Sequence, residues 1–331
     1  MSDVSVVIPF WDLENPILQD CIDSIRSQAY PSQILVVDNA SSIPVVGQDG
    51  VKVLRLNKRV SVGEARNLGL ATVETPYVMF MDADDVLLPN AIGHLRSLIA
   101  SRPGVSLAAG RIIDWVPDTG VKRPKPWPGK MAKQINRSAR LFRLLNIVRN
   151  VTPVTGCAVM DTRLAQSTGG FPNSTAEDWT FGVLMGLRGQ VLLSDNYVKL
   201  YRWRADGLSK VAVQQWKVLY EARRVTRSAL AADALTPSWM RSLLGALALL
   251  HVLELPFHVQ REQAFSRIGG EIAEAKKAPR PRRFDRIIRT AKRPATTLAG
   301  SPAAVARNSM AMYSNAAVAT DESAKLRGRI V

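Results

Sequence analysis

The stretch Tyr77 to Asp85, YVMFMDADD, sets three carboxylates, Asp82, Asp84 and Asp85, at the end of an apolar run. Like charges this close repel one another unless a cation holds them. Carboxylate oxygens suit Mg²⁺ or Mn²⁺, and those ions in turn suit phosphates. An apolar run that ends in acids reads as a buried strand. In an open α/β sheet, ligands gather at such strand ends. An acidic turn leading into a helix fits the triplet equally well, because Asp is common in turns.

The residues upstream favour the first reading. VSVVIPF (Val4 to Phe10) is a second apolar strand, with Trp11, Asp12 and Asn15 in the loop after it. A helical pattern then places Leu18, Cys21, Ile22, Ile25 and Ala29 on one face. ILVVDNASS (Ile34 to Ser42) is another strand ending in an acid, and VKVLRLN (Val51 to Asn57) is a further one. SVGEARNLGLATV (Ser61 to Val73) reads as a helix, with Ser61 as N-cap and Glu64 at capping-box spacing. The order strand, helix, strand, strand, helix, strand predicts a mostly parallel sheet with ligand groups along one edge.

With these pieces in place, the chain resembles a family 2 glycosyltransferase. The matching segments are VSVVIPF, VVDNAS, GEARNLG, FMDADD and a later GGF…AEDW between Gly169 and Trp179. They stand in the family's order over roughly residues 3 to 205. The resemblance implies a GT-A (Rossmann-like) mixed α/β sheet with flanking helices. Residues 1–115 would form the nucleotide-sugar-binding half and 116–210 the acceptor-binding half. Residues 211–331 lie outside the resemblance and read as a basic, mainly helical C-terminal appendage.

The resemblance also implies roles. Asp84 is the direct metal ligand, and Asp82 faces the ribose or a metal-bound water, with Mn²⁺ or Mg²⁺ as cofactor. Asp85 stands behind them or caps a helix. Pro9, Trp11, Asp38, Asn39 and Arg66 match positions around the nucleotide, and Trp11 can stack on a pyrimidine. A UDP- or dTDP-sugar is the favoured donor. Arg66 has a plainer reading, a core arginine paired with Asp84 or Asp38. Many relatives carry a histidine metal ligand in a late Tyr-Arg-x-His segment. Here it reads Tyr201-Arg202-Trp203-Arg204, so Arg204 stands in its place and suits the diphosphate directly. Asp178 matches the base that takes the acceptor proton, with Glu177 as backup. Burial would raise the carboxylate pKa for that task.

Composition sets the remaining bounds. Two cysteines, Cys21 and Cys157, give no disulfide framework. Leu243 to Val259 is the one long apolar stretch, but His251, Glu254, Pro256 and His258 interrupt it, so it is no membrane span. No charged-then-apolar leader precedes Val4, which leads to the expectation of a cytoplasmic protein. The chain has 331 residues and a formal charge of +16. Residues 1–115 hold 9 basic and 13 acidic side chains, and residues 116–331 hold 35 and 15. The split of −4 against +20 suggests a polyanionic partner: an anionic membrane surface at the inner face, a diphospholipid acceptor or nucleic acid. Lys122 to Arg149 reads as a Pro-containing loop and then a basic helix. Lys276 to Arg293 packs nine basic residues around Phe284, Ile287 and Ile288. A basic run with so few aromatics disfavours nucleic acid.

The expected function is an inverting, metal-dependent transferase of a single sugar to a hydroxyl on a glycan, glycolipid or protein. The absence of a Gln-x-x-Arg-Trp signature argues against processive transfer. The alternative is a non-catalytic GT-A-like binding protein acting through its basic C-terminal region.

Overall fold

Strand β1 (Val4–Phe10) is apolar on both faces because both faces are covered. Val4, Val6 and Ile8 pack with helices α1 (Asn15–Arg26) and α3 (Ala91–Ile99). Val7 points the other way, onto α2 (Val62–Ala71). Such strands read as continuous apolar runs, not as alternating ones. The computed structural model describes residues 2–243, apart from 126, 128, 149, 152, 153, 175, 176 and 204–211.

Among these residues, nine strands form one sheet. β1 lies parallel to β2 (Gln33–Asp38) and to β4 (Tyr77–Phe80), and β2 lies parallel to β3 (Val51–Arg55). The predicted parallel pairing holds for these four. Beyond β4 the sheet is mixed, because β8 (Ala158–Asp161) returns from a long excursion and enters antiparallel between β4 and β6 (Val105–Val116). β9 (Gln190–Arg202) runs parallel to β6, β5 (Val86–Leu87) runs against β9, and β7 (Val121–Pro124) forms a hairpin on β6. These directions have one consequence for the site. The C-terminal ends of β1, β2, β4, β6 and β9 all emerge at one edge, beside the start of β8.

Local signals behave as the residues dictate. Ser61 Oγ accepts from Glu64 N at 3.3 Å and caps α2. α1 ends at Arg26, so Ala29 falls beyond it and is exposed. The segment expected as a loop and one basic helix contains strand β7 and two helices, α4 (Lys130–Ile135) and α5 (Ala139–Val148). After β8 come the short α6 (Thr162–Ser167) and then α7 (Glu177–Arg188), which α8 (Ala212–Ala232) covers. Trp179, Val183 and Leu187 pack with Ala222, Leu230 and Met240. The Thr180 and Thr226 hydroxyls meet at 2.8 Å, and Arg188 pairs with Asp233 at 2.6 Å. The first part of the expected appendage thus packs directly on α7. The basic run Lys276–Arg293 and the apolar stretch beyond Leu243 lie outside the described residues. No helix among the described residues is long and apolar enough to cross a membrane.

Candidate active site

Arg66 joins the two acidic motifs. It stands on α2 and is 5% exposed. One guanidinium nitrogen donates to Asp82 Oδ1 at 2.6 Å and another to Glu177 Oε1 at 2.6 Å. Its partners are therefore Asp82 and Glu177, and neither Asp84 nor Asp38. Burial opposes the Arg66 charge, but the two carboxylates outweigh it and hold the group protonated. The same pairing keeps the Asp82 carboxyl below its ordinary range against the effect of burial. Asn67, the next residue, fixes the other flank. Its amide oxygen accepts from Phe171 N at 2.7 Å and its nitrogen donates to Phe171 O at 2.9 Å. Phe171 stacks on Phe181 of α7 at 4.0 Å, so α2, the Gly-Gly-Phe turn and α7 form one block.

Asp178 sits at the first turn of α7 beside Glu177. Burial and the neighbouring Glu177 charge push its carboxyl up to about 6, and Arg66 and the Trp179 N–H pull against them. Acids at a helix start meet unpaired N–H groups, which keeps them there whatever their task.

Asp85, the third acid of the turn, is enclosed. Its side chain is 0% exposed and pairs with Lys199 Nζ at 2.6 Å. It caps no helix. Its other oxygen accepts from Arg202 N at 3.0 Å. The Arg202 guanidinium donates to the Asp84 carbonyl at 2.8 Å and to Asp20 at 2.6 Å. Arg202 also lies over the Trp115 ring at 4.7 Å. Asp82 and Asp84 remain partly exposed at the sheet edge.

The residues expected around the nucleotide base lie at the ends of β1 and β2. Pro9 is half-buried beside Val37. Trp11 is 41% exposed, and the Arg59 guanidinium lies 3.2 Å from its ring centre. Asp38 is fully buried. It accepts from Ser41 N at 2.9 Å, from Val45 N at 3.0 Å and from Arg55 at 2.5 Å. Burial works against its charge, and these hydrogen bonds still hold it below the usual carboxylate range. Asn39 exchanges two hydrogen bonds with Val60, at 2.8 and 2.9 Å. Both side chains thus tie down the loops that frame this end of the edge. Arg204 lies outside the described residues.

The donor chemistry fits a divalent cation of the Mg²⁺ or Mn²⁺ kind. Asp82 and Asp84 present carboxylate oxygens at a partly exposed strand end. Among the described residues, no group of three or more His, Cys, Asp or Glu side chains converges as a ready cage. Two carboxylates without a cage match the way such ions are held, with substrate phosphates completing the shell.

Sequence reasoning missed Lys199, Asn67 and Arg202. A lysine inside the apolar run Val198-Lys199-Leu200 is itself a signal, because an unpaired charge there would be costly. Asn67 was visible only as part of a motif.

The sequence profile of glycosyl transferase family 2 matches residues 5–161. Over those residues the chain matches a glycosyl transferase family 2 domain. The O-antigen biosynthesis protein RfbC of Myxococcus xanthus is 27% identical over 114 residues, which is 31% of this chain and 9% of that protein. The amylovoran biosynthesis glycosyltransferase AmsE of Erwinia amylovora is 29% identical over 134 residues, 38% of this chain and 50% of that protein. The match thus spans half or less of either relative. Among solved structures, the mannosyltransferase PcManGT from Pyrobaculum calidifontis, in complex with GDP-Man and Mn²⁺, aligns with a TM-score of 0.54. It is 17% identical, over 87% of this chain and 79% of that one. S. aureus TarS 1–349 in complex with UDP-GlcNAc aligns at 0.53 with 17% identity, over 71% and 68%. At these identities the likeness establishes the fold, the GT-A arrangement of mixed sheet and flanking helices. The Gly-Gly-Phe turn and the Glu177-Asp178 pair lie beyond the matched span of this glycosyltransferase domain.

Proposed function

We propose that the protein transfers a single sugar, with inversion, from a nucleoside diphosphate sugar to a hydroxyl acceptor. The observation that carries this reading is the Arg66 bridge. It gathers the DADD turn and the Glu177-Asp178 pair, 95 residues apart in sequence, into one charged cluster at the sheet edge. Relatives that bind UDP-GlcNAc or GDP-Man on the same fold support the donor class.

Each residue then has a task. Asp82 and Asp84 would hold Mg²⁺ or Mn²⁺. A bound divalent ion supplies charge neutralisation to the leaving diphosphate. Trp11 offers an aromatic face to the base, and the loops fixed by Asp38 and Asn39 frame it. Asp178 accepts the proton of the acceptor hydroxyl as that oxygen attacks the anomeric carbon and the diphosphate departs from the opposite face. One base and one displacement invert the centre. A carboxyl held near 6 is ionised at neutral pH yet more basic than an ordinary aspartate, which suits it to this transfer. Arg66 keeps Asp82 ionised and holds both Asp82 and Glu177 in place. The basic excess after residue 115 would bring the catalytic edge to an anionic membrane surface, at the inner face of the membrane, where a glycolipid or growing glycan is presented.

Titration of the full chain with UDP, GDP and dTDP, in Mn²⁺ or in EDTA, tests the reading. Binding of one of the three, at least tenfold tighter with Mn²⁺, is the expected result. No binding of any of them overturns it.

A further inference from the structure

We propose that Lys199 is a positioning residue for the diphosphate-binding turn, its buried side chain tying Asp85 to the Thr155 carbonyl so that Asp82 and Asp84 are set before any ligand arrives. The inference rests on the sugar-nucleotide reading, which gives that turn its ligand. Lys199 lies 114 residues after Asp85, on β9. Its Nζ donates to Asp85 Oδ2 at 2.6 Å and to Thr155 O at 2.8 Å. The two side chains are 2% and 0% exposed. The stem of Lys199 runs against Gly156, where φ is +67° and a Cβ would overlap it.

The contacts around this pair converge on the turn. Asp85 N donates to Asp82 O at 3.1 Å. Arg202 holds the Asp84 carbonyl and the second Asp85 oxygen. The Thr155 side chain helps to keep the Asp82 carboxyl below its ordinary range. Lys199 therefore links the two chain segments that carry and flank the ligand carboxylates. Three acids in four positions repel one another, and Lys199 and Arg66 place two fixed cations among them. The turn then owes its shape to the protein's own charges. A buried ion pair is not required for stability alone, since apolar side chains of similar volume often serve as well. Its place between the turn and the Thr155 segment is what points to positioning.

The test uses the full chain, Lys199→Met, and the double variant Lys199→Met/Asp85→Asn, which removes both charges. The readouts are the thermal midpoint with and without EDTA, amide exchange across residues 80–88 without ligand, and titration with Mn²⁺ plus the best-bound of UDP, GDP and dTDP. The wild-type midpoint should not change with EDTA, and a fall would overturn the metal-free shaping of the turn. The double variant should regain most of the midpoint that the single variant loses. Its exchange across the turn should stay faster, and its Mn²⁺–nucleotide affinity about 10- to 100-fold weaker, the usual cost of losing a group behind a metal ligand. Wild-type exchange and affinity in the double variant would overturn the proposal, since the pair would then serve the fold alone. Should the double variant not fold, Thr155→Val tests whether the segment held by Lys199 sets Asp82. About tenfold weaker affinity at an unchanged midpoint is expected, and unchanged affinity counts against the proposal. If the wild type binds none of the three nucleotides, the sugar-nucleotide reading fails by itself, while amide exchange still decides the role of Lys199.

Discussion

Asp178 gives the sharpest residue-scale expectation, because the raised pKa that suits its proposed task also costs the fold stability. Burial raises its carboxyl from the ordinary 3.8 to about 6. A group whose folded pKa lies above its unfolded one binds more protons when folded, so its ionisation weakens the fold as pH rises from about 4 to about 6. That penalty is absent below about pH 4 and amounts to at most about 3 kcal/mol above pH 6. Asp178→Asn should therefore raise stability to urea by about 1–3 kcal/mol at pH 8 and leave it unchanged at pH 4. The same variant should keep nucleotide binding and lose about 10²- to 10⁴-fold in transfer. In the wild type, transfer should climb with pH to a plateau above about 6, and the variant's residual rate should lack that rise. A normal rate in Asp178→Asn with a deficient Glu177→Gln would move the base by one residue. Arg66 obeys the converse rule. Arg66→Met leaves Asp82 and Glu177 without their buried cation and should cost about 3–5 kcal/mol. Arg66→Lys keeps the charge but not the fork that reaches both acids, so it should regain part of the stability and little of the turnover. Urea unfolding beside a transfer assay separates the two effects.

At the scale of elements, the block of α2, the Gly-Gly-Phe turn and α7 decides whether the two acidic motifs meet. Gly169 and Gly170 both hold left-handed backbones, with φ of +81° and +86°. A Cβ on Gly169 meets nothing within 4 Å, whereas one on Gly170 collides with the Asn67 amide. Gly169→Ala should cost only the backbone strain, about 1–3 kcal/mol. Gly170→Ala should cost about 2–5 kcal/mol, because overpacking against Asn67 adds to the strain. Equal losses in urea unfolding would show that Asn67 swings aside freely. These elements were legible to different depths. Unbroken apolar runs marked β1, β2 and β4, and Ser61 with Glu64 marked the start of α2, because burial on both faces and helix capping leave local signatures. The partners of Arg66 were not legible. Glu177 lies 111 residues away, and sequence order does not say which of several acids at one edge an arginine reaches. Asp38 and Asn39 were legible as strand-end polar groups. Their bonds to Val45 and Val60 depend on loop geometry that composition does not encode. The loop and basic helix expected over Lys122–Arg149 missed strand β7 for a similar reason, since hairpin pairing of Val121–Pro124 on β6 is a tertiary matter.

The whole molecule is electrically lopsided, and that asymmetry yields the last prediction. Residues 1–115, which carry the DADD turn, sum to −4, and residues 116–331 sum to +20. Self-repulsion of this size weakens a compact protein unless a polyanion compensates it. An anionic leaflet attracts each nearby basic side chain by about 1 kcal/mol, and the attraction fades within a Debye length of roughly 8–10 Å. On the proposed reading, the nine basic residues between Lys276 and Arg293 would hold the protein at such a surface even if several point away. The full chain should co-sediment with vesicles containing about 30% anionic lipid at 50 mM salt, and release should be nearly complete by about 500 mM, where the Debye length falls to a few ångströms. Neutral vesicles should retain little protein at either salt concentration. Retention at high salt would indicate apolar insertion, with Leu243–Val259 or Phe284, Ile287 and Ile288 as its source. Failure to bind anionic vesicles at 50 mM salt would remove the membrane from the proposal and leave a soluble acceptor for the same catalytic edge.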